Sequence, residues 1–330
     1  MALRTNIIAL DFRIKFMLIE DKLKKNFVLA KLTTFKIGGP AKFFLEANDK
    51  EELRQAVGWA KKRGEPLFFL AGGSNILIND QGVAGLVIKL SLKNLSVKDN
   101  NIISEAGASL SQLVKLANKY NLSGLEWAVG IPGTIGGAVY GDAGAFGQEM
   151  SALVKNIEAY DIDKDSFINF TNQQCQFSYR NSMFKQKKNL IITAVELELK
   201  SDSADKIKER INEYSRYRMN AQPPEYSAGS VFKNLTLTYL KSVNSSLAEQ
   251  AEQAGIVKGD KVAAGWLIDK LDFKGQQIGR AKVSEKHANF IINLGQASAD
   301  DVVQLISLIK QQIRNKFKVQ LEEEVQYFGF

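Results

Sequence analysis

The chain has 330 residues, of which 45% are AVILMFWYC and 24% DEKR, the profile of a soluble globular protein with room for two domains and a sizeable core. Lys and Arg outnumber Asp and Glu, 44 to 36, and the net charge of +8 favours anionic ligands without dictating a fold. One cysteine, Cys175, excludes an internal disulfide and zinc-finger spacing; one histidine, His287, excludes multi-histidine metal sites and makes a Ser-His-Asp relay a poor reading.

The first residues, through Leu18, do not make a signal peptide or a membrane helix, because Asp11, Arg13 and Lys15 interrupt the apolar run and no small-residue cleavage site follows. The protein is therefore expected in the cytoplasm, where the glycosylation-like triplets at Asn234 and Asn244 are inert. Residues 1–27 read as an N-terminal extension or arm, with Met17 inside it. Asp49, with Glu52 three residues on, predicts a helix cap, and Leu53, Ala56, Val57 and Ala60 recur at helical spacing up to Gly64. A buried strand is expected over 66–71 and another over 86–90. Ser109 and Gln112 predict a capping box for a second helix, and strands follow near 157–162 and 190–199.

From Ser203 a charged helix is expected to Met219, ended by Gln222-Pro223-Pro224. Further helices are expected at 247–254 and 262–271, a strand at 289–294, a long helix from a Ser298 cap to Phe317, and a closing strand over 319–328. The fold class is α+β, with a first domain over 28–201 and a smaller one over 202–330. There is no internal repeat.

Glycine is the strongest local signal. Seven fall between Gly130 and Gly147, in the text Gly130-Ile131-Pro132-Gly133-Thr134-Ile135-Gly136-Gly137-Ala138 and its continuation. Main-chain N–H groups without a Cβ in the way can approach a ligand closely, and consecutive ones make an anion nest suited to a diphosphate. Gly72-Gly73-Ser74-Asn75, directly after a strand, is a second loop of that type, although alone it also fits ordinary strand punctuation. Neither loop matches G-x-G-x-x-G or G-x-x-x-x-G-K-[ST], so Rossmann and P-loop readings fall.

Four other features stand out. Ser230, in Ala228-Gly229-Ser230-Val231-Phe232-Lys233-Asn234, is a turn hydroxyl or a proton donor; with no histidine near it in sequence, it is a poor nucleophile. Arg180 lies between aromatic residues in Phe177–Phe184, which suits either a surface cation or a shielded fork for a carboxylate. Glu322-Glu323-Glu324 is unusual for a buried strand, and a solvated edge is the simple reading. His287 precedes a buried strand, where a lone histidine is more often a structural hydrogen-bonder than a catalyst.

Seven segments occur in an order that identifies a family. They are Thr34–Pro40, Ala71–Asn75, Gly130–Gly137, Tyr179-Arg180, Gly229–Asn234, Ala263–Asp269 and Glu324-Val325. The chain from Leu32 to Phe328 resembles UDP-N-acetylenolpyruvoylglucosamine reductase, the flavoenzyme family of bacterial peptidoglycan synthesis. The resemblance implies an FAD-binding domain of the vanillyl-alcohol-oxidase (PCMH) type followed by a substrate-binding α+β domain. It implies that NADPH reduces non-covalently bound FAD and that flavin N5 then passes hydride to the enolpyruvyl methylene carbon. Ser230 is implied as the proton donor to the adjacent carbon, with Arg180 and Glu324 polarising the carboxyl and stabilising the enolate-like intermediate. Gly72–Asn75 and Gly130–Ala138, omitting Ile135, are implied cofactor contacts; Tyr179, Asn234, Lys274 and His287 are implied substrate contacts. The stretch between Arg180 and Arg218 is too short for the extra tyrosine-bearing loop of one subgroup, so the loop-lacking subgroup is expected. The partners are then a UDP-sugar and NADPH, in a monomer, with no metal, nucleic acid or membrane. The alternative is another FAD-dependent oxidoreductase of the same fold. Such enzymes often tether flavin through His or Cys, whereas Cys175 and His287 lie outside both glycine loops.

Overall fold

A computed structural model describes residues 19–330. The readings made of residues 1–18 lie outside the described residues. Lys24–Val28, the end of the stretch read as an arm, forms an edge strand antiparallel to Pro40–Ala47. The reason is side-chain burial: Phe27 stacks on the core residue Phe44 with ring centroids 4.2 Å apart.

Asp49 caps the helix Lys50–Arg63 by accepting the Glu52 N–H at 2.8 Å, and Gly64 ends it at φ 65°. Leu53, Ala56, Val57 and Ala60 turn inward. This helix is the crossover between Pro40–Ala47 and Leu67–Leu70, which both run parallel to Val83–Leu90. Leu67–Leu70 therefore delivers its carboxyl end directly into the loop 71–75, the end of a parallel strand where ligands bind in such sheets.

The second sheet is antiparallel, in the order Ser166–Thr171, Val154–Asp161, Leu190–Glu198, Asn101–Glu105, Leu95–Lys98. Leu110–Lys119, with the Ser109/Gln112 capping box that the spacing predicts, and the short helix Ile135–Tyr140 share one core with it. Cys175 is buried in that core, its Sγ 3.2 Å from the Thr171 carbonyl, and burial pushes the thiol up to about 11.

The C-terminal sheet is antiparallel, in the order Tyr226–Ser230, Phe290–Asn293, Ala281–Val283, Gln277–Ile278. The helix Ala299–Phe317 starts at the Ser298 cap and buries Val302, Leu305, Ile306, Ile309 and Ile313 in the same core. Two elements differ from expectation. The helix expected from Val262 begins at Ala264, because Val262 pairs with Leu235 and Val257 in a small sheet. The closing strand forms a ladder only at Gln326–Phe328, parallel to Ile76–Ile78 in the first half of the chain. Upstream of it the acidic run makes a single bridge, Glu323 to Phe232, as the low strand preference of glutamate requires.

The helix Ala204–Ala221 shares its charged texture with the C-terminal half but packs Ile211 and Tyr214 on the second core. Arg210 anchors it by pairing with Glu126 at 2.9 Å and Asp202 at 2.6 Å. Burial pushes the Glu126 carboxyl up, but N–H donors from the backbone and Arg210 outweigh it and hold the group below its ordinary value. The sign is therefore that of a depressed carboxylate: the stabilisation is present at neutral pH and disappears as pH falls through the folded-state pKa. Arg210→Ala strands a carboxylate in a residue only 3% exposed. Urea unfolding at pH 7 should show a loss of about 3 kcal/mol, shrinking on acidification; an unchanged midpoint would show that the pair contributes nothing.

Candidate active site

The loop after Leu67–Leu70 is shaped by contact with the second glycine loop. A Cβ on Gly72 would lie 2.5 Å from Gly133 Cα, and one on Gly133 would lie 2.7 Å from Ser74 Oγ. The two glycine segments singled out in the sequence are thus packed backbone to backbone. The N–H groups of Gly72, Gly73, Ser74 and Asn75 donate to no acceptor among the described residues. Four consecutive free donors at the end of a parallel strand fit the diphosphate of a dinucleotide.

Thr134 caps the helix Ile135–Tyr140 through the Gly137 N–H, and Gly136 lies against Ala106, where a Cβ would meet the Ala106 methyl at 2.8 Å. Part of the glycine run therefore serves close packing, and part leaves backbone open to a ligand.

The three candidate catalytic residues come from distant segments: Arg180 and Glu324 touch, and the backbone of Glu324 is bonded to the residue that follows Ser230. Ser230 ends the strand Tyr226–Ser230 opposite Phe290, turned by Gly229 at φ 78°. Glu324 donates its N–H to the Val231 carbonyl at 2.7 Å, which places it beside Ser230. Its own carbonyl accepts from Asn75 Nδ2 at 3.1 Å, and Gln326 N–H donates to the Asn75 carbonyl at 3.0 Å. The acidic segment is thereby sewn between the serine turn and the first glycine loop. Arg180 Nε lies 2.9 Å from Glu324 Oε1. That N–H has no well-directed acceptor, so the contact is ionic rather than a formed hydrogen bond. Arg180 itself sits at φ 56°, a backbone region costly for a long side chain and typical of functional sites.

Comparison with known proteins gives one result. Residues 222–328 match the family model for the UDP-N-acetylenolpyruvoylglucosamine reductase C-terminal domain, and residues 41–163 match that for a FAD binding domain. The UDP-N-acetylenolpyruvoylglucosamine reductase of Caldanaerobacter subterraneus subsp. tengcongensis is 37% identical, over 96% of this chain and 97% of its own. That of Anoxybacillus flavithermus is 39% identical, over 93% and 94%. The chain belongs to the UDP-N-acetylenolpyruvoylglucosamine reductase family. The crystal structure of the Thermus caldophilus reductase superposes with a TM-score of 0.74 at 32% identity, covering 93% of this chain and 99% of that one.

In this reductase the candidate substrate contacts fall into two groups. Tyr179 and Asn234 meet: the tyrosine hydroxyl accepts the Asn234 N–H at 3.2 Å, and Asn234 Oδ1 accepts the Ala264 N–H at 3.2 Å. Burial pushes the Tyr179 hydroxyl up, so it stays protonated. Lys274 instead pairs with Asp269 at 2.8 Å, near the surface. His287 Nδ1 accepts the Asn289 N–H at 3.2 Å, and burial pushes the ring's pKa down, leaving it neutral. Cys175 lies in the second core and His287 against Asn289 and Phe290.

Sequence reading missed several cations. Lys185 donates to the Arg180 carbonyl at 2.6 Å, and burial, then Lys233, push its ammonium down. Lys233 pairs with Glu322, and Lys261 lies 4.3 Å from the Tyr179 ring centroid. Arg218 reaches back to Gly130, where a Cβ would come within 3.1 Å of its Cδ, and donates to the Trp127 carbonyl at 3.0 Å. No carboxylate pairs with it among the described residues. Lys233 is close enough to Lys185 to oppose its positive charge, Lys261 covers the Tyr179 ring, and Arg218 stands beside the second glycine loop. Lys233 stands in the serine segment that the sequence already marks; nothing local in the sequence sets Lys185, Lys261 and Arg218 apart from other lysines and arginines.

Among the described residues no helix is long and apolar enough to cross a membrane, and no cluster of His, Cys, Asp and Glu is arranged to hold a metal ion.

Proposed function

We propose that the protein reduces the enolpyruvyl group of UDP-N-acetylenolpyruvoylglucosamine to give UDP-N-acetylmuramate, with NADPH as electron donor, in peptidoglycan precursor synthesis. The observation that carries this reading is the meeting of Arg180, Glu324 and the Ser230 turn beside the free N–H groups of Gly72–Asn75. FAD, when bound, supplies hydride chemistry that no side chain can. Gly72–Asn75 hold its diphosphate, with the Gly130–Ala138 segment lying against the same loop. Ser230 gives its hydroxyl proton to the substrate carbon next to the one that takes up hydride. Serine is a weak acid in water, but a strongly basic carbon within hydrogen-bond reach makes it competent. Arg180, carrying a fixed charge, stabilises the enolate-like oxygen that forms on the substrate carboxyl, an effect of several kcal/mol by analogy with oxyanion-hole donors. Glu324 orients that guanidinium and balances its charge.

Tyr179 and Asn234 position the nucleotide sugar, Lys274 from the surface and His287 from a partly buried place add contacts, and we put the chain in the loop-lacking subgroup. A monomer in the cytoplasm, with a flavin-holding part through residue 201 and a substrate part beyond it, completes the proposal. The test is a visible spectrum. The purified protein should be yellow, bleach on NADPH, and recover its flavin absorbance on addition of the enolpyruvyl UDP-sugar under anaerobic conditions. A flavin that bleaches but recovers only with oxygen, or with an alcohol-derived carbonyl, favours a different flavin oxidoreductase.

A further inference from the structure

We propose that Asp142 is a positioning residue for the Arg180 guanidinium, acting through the turn that it closes; the proposal rests on the role given above to Arg180. Arg180 is gripped on two sides. Glu324 takes its Nε side, while Nη1 donates to the Asp142 carbonyl at 3.2 Å and Nη2 to the Gly144 carbonyl at 3.0 Å. Both carbonyls belong to one tight turn, 141–144, after the helix Ile135–Tyr140.

What shapes that turn is the Asp142 side chain. Asp142 is 1% exposed and sits at φ 43°, a left-handed conformation that aspartate tolerates better than most residues. Its carboxylate folds onto Ser151, accepting the backbone N–H at 2.8 Å and the hydroxyl at 3.1 Å. Met150 N–H adds a bond to the Ala143 carbonyl at 2.9 Å. The hairpin between is drawn shut, so that the Asp142 and Gly144 carbonyls face one side together. Gly144 has no room for a side chain: a Cβ would lie 2.5 Å from the Gln148 carbonyl. Burial pushes the Asp142 carboxyl up, and the Ser151 contacts act the other way.

The consequence is geometric. The guanidinium emerges from a residue in strained backbone, and its direction is set by these two carbonyls and by Glu324. A misplacement of about 1 Å at a charge-stabilising group costs on the order of 10²-fold in rate. Asp142→Ala removes both Ser151 bonds and frees the turn. Asp142→Asn restores them, because its Oδ1 can accept the Ser151 N–H and its Nδ2 can donate to the Ser151 hydroxyl.

The experiment measures the two half-reactions of the FAD-loaded enzyme separately by stopped flow. Asp142→Ala should slow return of the flavin absorbance with the enolpyruvyl UDP-sugar about 30-fold, with bleaching by NADPH within threefold of wild type. Asp142→Asn should bring the slowed step back to within about threefold of wild type. Equal losses in both half-reactions, or no rescue by asparagine, would overturn the positioning role, since general damage to the fold would do either. If Asp142→Ala does not fold, Ser151→Ala decides: a selective slowing supports the role and an unchanged rate overturns it. A wild-type protein that does not react with the enolpyruvyl sugar overturns the functional reading and this role with it; a normal wild type beside an unaffected alanine variant overturns this role alone.

Discussion

Ser230→Ala leaves bleaching of the flavin by NADPH within about threefold of wild type and slows recovery with the enolpyruvyl UDP-sugar about 10³-fold, within the usual range for loss of a positioned acid. The substitution removes the only exchangeable side-chain proton from a residue whose backbone is fixed on both sides. Ser230 pairs with Phe290, Val231 N–H donates to the Asn289 carbonyl at 2.8 Å, and the Val231 carbonyl accepts from Glu324. A methyl group therefore sits where the hydroxyl was, and the turn keeps its shape. His287 Nδ1 accepts the Asn289 N–H, so that nitrogen carries no proton to give in place of the serine. Single-turnover stopped flow separates the steps; recovery within threefold of wild type would remove Ser230 from the role of proton donor. A variant that also lost flavin would show instead that the turn depends on the hydroxyl.

Gly72→Ala is expected to abolish stable flavin retention while leaving most of the protein folded. The new Cβ would lie 2.5 Å from Gly133 Cα and 3.0 Å from both Gly133 C and Thr134 N. All three are backbone atoms, so no rotamer change relieves the contact and the two loops must separate. Overpacking of this kind costs about 1–3 kcal/mol of stability. Displacing the free N–H groups of Gly72–Asn75 should weaken FAD binding at least about 100-fold, the equivalent of two such bonds misaligned. Gly58→Ala is the control: it lies inside the helix Lys50–Arg63 with nothing within 4 Å of the added atom. That change should stabilise by about 0.5–1 kcal/mol and leave the flavin in place. Flavin carried through gel filtration, per mole of protein, reads the difference. A fully loaded Gly72→Ala protein would show that the first glycine loop does not hold the cofactor.

Features set by local chemistry were legible in the sequence. Asp49, Ser109 and Ser298 each cap the helix that follows, because a cap is a bond spanning three residues. The density of glycine near 130–147 marked a place of close backbone approach, although the sequence did not show that Gly133 would press on Gly72. The meeting of Arg180 with Glu324 was reachable only through the family resemblance, since 144 positions separate two side chains that are ordinary in isolation. Asp142 was passed over as one more turn residue; what distinguishes it is Ser151, nine positions on. The cations Lys185 and Lys261 were hidden by the overall basic balance, which shows that positive charge is in excess but not where it gathers. The end of the chain was misjudged because period-two reasoning assumes a partner strand along the full length, and only Gln326–Phe328 finds one.

The pairing of Gln326–Phe328 with Ile76–Ile78 has a temporal meaning. Asn75 and Glu324 are 249 positions apart. On the ribosome, the loop Gly72–Asn75 is made early and must wait for the residues about 250 positions on before its last bonds close, a wait that long-range contacts impose on folding. The same peptide that completes the loop brings the acidic partner of Arg180. A chain that has not yet emerged to Gln326 lacks both the bonds that close the first glycine loop and the acidic partner of Arg180, so the two are completed together.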